Sequence, residues 1–314
     1  MCINMIQNSV ALQTKKKRKY KKKGIQYFLM SIPFLVYVFA FSYVPLLGWL
    51  LAFSDYRAGM RITDIEIKGV QAFVKIFSDR NALRVLRNTL VMSGLGLLVS
   101  PISVIFAIML NEIRSMKFKK FTQTVTTLPH FIGWVVVYGL AFSLFSNSGV
   151  VNQLLKLLGL PTSQFGLLGN GDAVWTVQTL FGLWKGLGWN AIVYMAAIAG
   201  IDMELYDAAK VDGADRVQLI RHITLPGLIP TYLVLLLLSV GSLLSNGFEQ
   251  YYVFWNAMVS DKIEVLDYYV YKIGFTANQY PYSIAISMLK SVVSIILLFV
   301  ANGISKGLRG DSLV

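Results

Sequence analysis

Cysteine and histidine are nearly missing: one cysteine, Cys2, and two histidines, His130 and His222, stand in 314 residues. A single cysteine excludes an intramolecular disulfide framework and a cysteine-built metal site. Two histidines this far apart offer no metal-ligand spacing. Charge is also scarce, at 14% of residues, where a soluble globular domain carries about 25%. Hydrophobic residues reach 55% and mean hydropathy is +0.59. So little polar surface cannot clothe a large core in water, and the second solvent must be lipid. The GxxxxGK[ST] pattern is absent, so the chain cannot cradle nucleotide phosphates in that way. No internal repeat is visible, and no linker marks off a second domain.

What is present is long apolar runs. A spanning helix needs about 20 apolar residues, and six stretches qualify. They run about Phe28–Phe53, Asn88–Asn111, Val125–Phe145, Val174–Ile201, Thr224–Gly247 and Ser283–Ile304. The first is too long for a signal-peptide core and is expected to stay in the mature protein. The net charge of +13 gathers in front of it, at Lys15, Lys16, Lys17, Arg18, Lys19, Lys21, Lys22 and Lys23. Such a tail could grip nucleic acid. Beside a membrane span it marks the cytoplasmic face and touches anionic lipid. Residues 1–24 then form a basic cytoplasmic tail, 25–305 a membrane domain and 306–314 a cytoplasmic C-terminal tail.

An even number of spans puts both termini in the cytoplasm. The loops with Arg114, Lys117, Lys119 and Lys120, and with Lys210, Arg216 and Arg221, fall inside as the positive-inside rule expects. Residues 54–87 disagree: Arg57, Arg61, Lys68, Lys75, Arg80, Arg84 and Arg87 must lie outside. Phe73, Ile76, Phe77 and Leu83 suggest a short interfacial helix there.

The segment Asp202–Pro226 reads as helix, turn, helix. Leu205, Ala208, Ala209 and Asp212 share one helical face. Asp212-Gly213 signals a turn, Asp215 suits an N-cap, and Pro226 suits the first turn of the next span. Tyr206-Asp207-Ala208-Ala209, Asp212-Gly213-Ala214 and Ile223-Thr224-Leu225-Pro226 resemble the "EAA" loop of bacterial ABC importer permeases. Asp207 stands where glutamate is usual, which keeps the charge and shortens the reach. Thr127–Ile132, Gly149–Asn152, Trp184–Trp189 and Gly247–Phe275 are similar to the polysaccharide-type, LplB-like carbohydrate-uptake branch. The resemblance covers roughly Tyr27 to Ser305.

The resemblance implies an all-α fold with six transmembrane helices, the type I ABC importer permease fold, in a bacterial cytoplasmic membrane. It implies coupling to a cytoplasmic ABC ATPase dimer through Tyr206, Asp207, Ala208, Ala209, Asp212, Gly213, Ala214 and Arg216. ATP and Mg would sit on that partner, with no cofactor on this chain. A second permease, expected to be non-identical, and an extracytoplasmic sugar-binding protein would complete the importer, and nucleic acid would have no part.

Two clusters could meet an oligosaccharide. Lys185 lies about 16 Å into the fourth span, where a lysine costs about 2.5–3.5 kcal/mol unless paired or wet. Trp184, Trp189, Asn190 and Tyr194 surround it with flat and hydrogen-bonding surfaces, and Gly182-x-x-x-Gly186 would admit a close helix. Lys185 could equally be a structural pairing residue. The second cluster is Asn246, Glu249, Gln250, Tyr251, Tyr252 and Trp255. An interfacial aromatic belt explains its rings as well, and Glu249 could pair with Lys290. A non-sugar solute such as a peptide or ion is the alternative cargo. Gly169-Asn170-Gly171-Asp172 matches the GxGD of some intramembrane proteases, but that chemistry needs two aspartates in a buried site, and no span holds a second. An N-cap explains Asp172 more simply.

Overall fold

The computed structural model describes residues 25–160 and 166–309. The basic tail and the last residues of the chain lie outside the described residues. The helices are α1 (Ile25–Phe53), α2 (Gln71–Ser78), α3 (Arg80–Val99), α4 (Pro101–Glu112) and α5 (Met116–Phe131). Then come α6 (Trp134–Phe145), α7 (Val150–Leu157), α8 (Val174–Ala199), α9 (Met203–Val211) and α10 (Arg216–Leu219). The chain closes with α11 (Leu225–Gly241), α12 (Glu249–Phe254), α13 (Ser260–Ile263), α14 (Leu266–Tyr271) and α15 (Tyr280–Arg309). Among the described residues there is no strand, only an isolated bridge between Ser54 and Ile67.

Five helical segments are long and apolar enough to cross a membrane, and α8 with α9, bent by 68° between them, makes a sixth. The expected first, second, fourth and sixth spans correspond to α1, α3–α4, α8 and α15. Pro101 opens α4, and Ser100 before it is the one residue of turn between the two helices of the second span. The fifth span stops at Gly241, short of the expected Gly247, in turns at Ser242–Ser245.

The third span departs most from expectation. Val125–Phe145 is not one helix: it breaks at Ile132 and Gly133, both in extended conformation, between α5 and α6. Pro129 cannot donate a backbone hydrogen bond and Gly133 is a poor helix former, so the break has a local cause.

At the end of the bundle where α3, α8 and α15 begin, the segments 54–79 and 246–279 fold over the helices. The expected short helix is α2, with Ile76 buried against the core of α3 and α15. Two of the cations that broke the positive-inside rule, Lys68 and Arg84, meet carboxylates there. Glu264, 1% exposed, accepts from Arg84 at 2.9 Å and Lys272 at 2.5 Å, and Trp255 Nε1 donates to it at 3.2 Å. Arg84 also pairs with Asp261. Asn88, fully buried, donates to the carbonyls of Asp261 and Glu264. Lys290 pairs with Asp267, not with Glu249 as expected, because the 246–279 segment turns back and brings Asp267 beside Lys290 on α15. Asp267 also accepts from the Gly247 amide at 2.9 Å.

Asp79 caps α3 through the Asn81 amide and accepts from Tyr282 at 2.8 Å and Tyr269 at 3.0 Å. Burial pushes the Asp79 carboxyl up, but the hydrogen bonds from Tyr282, the Asn81 amide and Tyr269 outweigh it and hold it below its ordinary value. Such a carboxyl stabilises the fold above its ordinary pKa, and the contribution is lost as pH falls through the native one. Asp79→Asn should therefore cost about 1–2 kcal/mol at neutral pH, read as a lower Tm of detergent-solubilised protein. The gap to the native protein should close as pH falls below about 4. A gap unchanged in acid would assign the loss to packing instead of charge.

Candidate functional site

Two regions carry the residues singled out in the sequence, one after the C-terminal end of α8 and one around its middle. The first is the turn between α8 and α11. Asp202 caps α9 through the Glu204 amide at 2.9 Å, and Asp215 and Gln218 form a reciprocal capping box on α10. Gly213 has φ +84, a left-handed conformation that side chains rarely adopt, and it sets the angle between the two helices. Pro226 sits in the first turn of α11 as expected. Tyr206 and Thr224 share a hydroxyl hydrogen bond at 2.9 Å, which ties α9 to the foot of α11. Arg216 approaches Glu112 at the end of α4, at 3.8 Å.

Asp207 pairs along its own helix with Lys210 at 2.9 Å, so its short side chain is satisfied locally. Met203, Leu205, Val211 and Val217 are exposed, Val211 at 88%. Ala209, Asp212, Gly213 and Ala214 line a hollow of about 330 Å³ with Gln218 and His222. Ala208, beside Ala209 on α9, is also exposed. The loop therefore offers apolar side chains and a shallow hollow, away from the helix bundle.

The second region surrounds the break in the third crossing. A broken helix leaves unpaired carbonyls at one end and unpaired amides at the next, with opposite partial charges. Lys185 Nζ donates to the His130 carbonyl at 2.6 Å, at the negative end of α5. It also lies 5.4 Å from the centre of the Trp134 ring. At the positive end of α6, a Cβ placed on Gly133 would lie 4.0 Å from Glu249 Oε1. Each half-helix end thus meets a side chain of opposite sign. Gln250, next along α12, donates to the Gln178 carbonyl and side chain on α8, both at 2.9 Å.

So the break brings together Lys185 of one expected cluster with Glu249 and Gln250 of the other. Nothing in either cluster pointed to His130, whose ring stacks on Trp189 at 4.4 Å and 2°. The close helix approach falls at Gly188 and not at Gly182 or Gly186. A Cβ on Gly188 would lie 2.4 Å from the Thr126 backbone, whereas Gly182 meets only Gln250 at 4.0 Å.

Trp189 also borders a cavity of about 390 Å³ between α4, α8 and α11. Asn190 and Tyr194 line it, facing Ser100, Ser103, Ser239 and Ser242, which sequence reading did not single out. Asn190 lies 16 residues into α8, about 24 Å along a helix. Ser239 and Ser242 donate to carbonyls of their own helix, at 2.8 and 3.1 Å, and Ser100 does so at 2.8 Å while meeting the Tyr232 hydroxyl at 3.1 Å. A serine satisfied this way tolerates lipid and still offers lone pairs.

The other named residues sit elsewhere. Trp184 lines a separate apolar hollow of about 570 Å³ with Leu140, Leu144 and Phe181. Tyr251 is buried against α6 in the outer core. Asn246 donates to Ser93 at 2.9 Å and fastens the end of α11 to α3. Lys185→Met should leave the His130 carbonyl without a partner, lowering Tm by several degrees. Gly188→Leu, with no room beside Thr126, should abolish recovery of folded protein from membranes; normal yield would disprove the contact.

The family described as "Binding-protein-dependent transport system inner membrane component" matches residues 99–310. The "Polygalacturonan/rhamnogalacturonan transport system permease protein YteP" of Bacillus subtilis is 36% identical over 95% of this chain and 94% of its own. "Protein LplB" of the same organism is 39% identical over 89% of this chain and 88% of its own. Among solved structures, a chain of a bacterial alginate ABC transporter, in complex with a periplasmic protein bound to alginate pentasaccharide, superposes with a TM-score of 0.84. It is 32% identical and covers 94% of this chain and 99% of its own.

Proposed function

This chain belongs to the binding-protein-dependent transport system inner membrane components, and on that premise we propose that it is one permease subunit of an ATP-driven importer of oligosaccharides. The observation that carries the proposal is the α9–α10 turn, an exposed apolar hook tied to the helices that border the central cavity. A cytoplasmic ATPase dimer docks on that hook, through the face of Tyr206, Asp207, Ala208, Ala209, Asp212, Gly213 and Ala214, with Arg216 behind it. ATP and Mg act on the ATPase, and this chain performs no chemistry of its own. A second, non-identical permease completes the passage, and an extracytoplasmic binding protein delivers the sugar. On this reading the hook faces the cytoplasm, with both termini inside and the 54–79 and 246–279 segments outside.

The cavity of Asn190, Tyr194 and the four serines is the sugar path of this subunit. Its hydroxyls and amide suit hydrogen bonding to sugars, and the exposed part of Trp189 suits the apolar face of a pyranose. Lys185 acts as a positioning residue: it holds the break that places His130 and Trp189. Acidic glycan fragments are the favoured cargo, since relatives are named for polygalacturonan and alginate, both uronate polymers.

Gentle detergent extraction should recover the chain with a second permease, an ATPase and a sugar-binding lipoprotein. A chain that purifies alone in several detergents would contradict the importer reading. In the reconstituted complex, Gly213→Ala costs about 1–2 kcal/mol of local strain from its positive φ, and a Cβ there meets no neighbour among the described residues. Gly213→Trp should leave the protein in the membrane and abolish substrate-stimulated ATP hydrolysis. Retained stimulation in Gly213→Trp would count against docking at this turn.

A further inference from the structure

Two cations of the 54–87 segment are neutralised, Arg84 by Asp261 and Glu264 and Lys68 by Glu66. Two that are not line the same cleft. Arg57 enters no ion pair among the described residues. Among the described residues Lys75 meets only neutral groups, Gln279 Oε1 at 3.3 Å and the Tyr282 ring at 4.6 Å. The cleft measures about 710 Å³, and Tyr56, Gln71, Gln279 and Tyr282 share its walls with the two cations. Its one carboxylate, Asp55, is engaged by the Glu66 amide at 3.0 Å.

The walls are held by backbone and not by any ligand. Phe53 O accepts from the Lys68 and Gly69 amides at 2.8 and 3.1 Å, and Asp55 N donates to Glu66 O at 3.1 Å. Across the cleft, Gln279 N donates to Ile273 O at 2.9 Å, fixing the turn into α15. The volume falls within the roughly 300–1,000 Å³ of small-ligand sites, and a concave preformed site fits a small ligand better than a protein face. Uncompensated cations call for an anion, tyrosine rings suit pyranose faces, and amides suit hydroxyls.

We propose that this cleft is an outer subsite for the carboxylates of an acidic oligosaccharide, separate from the cavity between α4, α8 and α11. The assignment rests on the acidic-oligosaccharide reading above and adds a second place where the cargo is held.

The test uses the complex of this chain with its partner permease and ATPase in nanodiscs, without the binding protein. Trigalacturonate, titrated calorimetrically, is expected to bind the native complex and to lose tenfold or more in affinity in the double variant Arg57→Ala, Lys75→Ala. The charge-keeping variant Arg57→Lys, Lys75→Arg should retain most of the binding, and neutral maltotriose should not compete. Absent trigalacturonate binding, or equal affinity in the alanine variant, overturns the subsite. So does an alanine variant that weakens only capture of the binding protein, which assigns the face to protein contact. With the binding protein then added, its capture and the uptake of oligosaccharide into proteoliposomes separate the readings. A native complex that imports no oligosaccharide fails as a sugar importer, whereas native uptake beside an indifferent alanine variant strikes the cleft alone.

Discussion

A peptide group in lipid finds no hydrogen bond except on the protein, so a helix that breaks inside a membrane must have its loose ends closed by other side chains. The contact between Lys185 and the His130 carbonyl does this for α5. A lysine at that depth is costly alone, and an open carbonyl is costly alone; together each removes the other's penalty. From this contact follow the stack of His130 on Trp189 and the position of Trp189 at the edge of the polar cavity. The tight passage of Gly188 past Thr126 fixes α5 against α8 one turn further on. The middle of the molecule is thus held by one ammonium, one carbonyl and one missing side chain.

At the end of the bundle where α3 and α15 begin the logic is electrostatic. The 246–279 segment folds back so that Asp261 and Glu264 meet Arg84 of the 54–87 segment while Asp267 meets Lys290 of α15. Glu264 is buried, and a buried carboxylate is tolerated only when paired and hydrogen-bonded; Arg84, Lys272 and Trp255 supply that together. Asp79 does the same for two tyrosines and a helix end. Segments distant in sequence are locked into one cap over the bundle.

Much of this was legible in the residues, and the limits have physical causes. The turn between α8 and α11 was read closely because its signals are local: Asp202 and Asp215 as caps, Gly213 for a positive φ, Pro226 for a first turn. The apolar spans were visible because length and hydropathy suffice to see them. The break was not, because averaging hydropathy over Val125–Phe145 is blind to what Pro129 and Gly133 do to the backbone. Lys185 stood out, but its partner is a main-chain carbonyl and carries no residue-type signature. The pairing of Lys290 depended on how the 246–279 segment folds back, so Glu249 and Asp267 were indistinguishable until the fold placed Asp267 beside it. The basic 54–87 loop was a visible anomaly whose answer lay nearly 200 residues away.

The hydroxyl contact between Tyr206 and Thr224 has a mechanical meaning. It triangulates the corner where α8, α9 and α11 meet, so α9 is braced against the foot of α11 as well as joined to the end of α8. Those two helices also line the polar cavity. One corner thus joins the exposed turn to the walls of that chamber, as a bracket joins a shelf to the wall behind it.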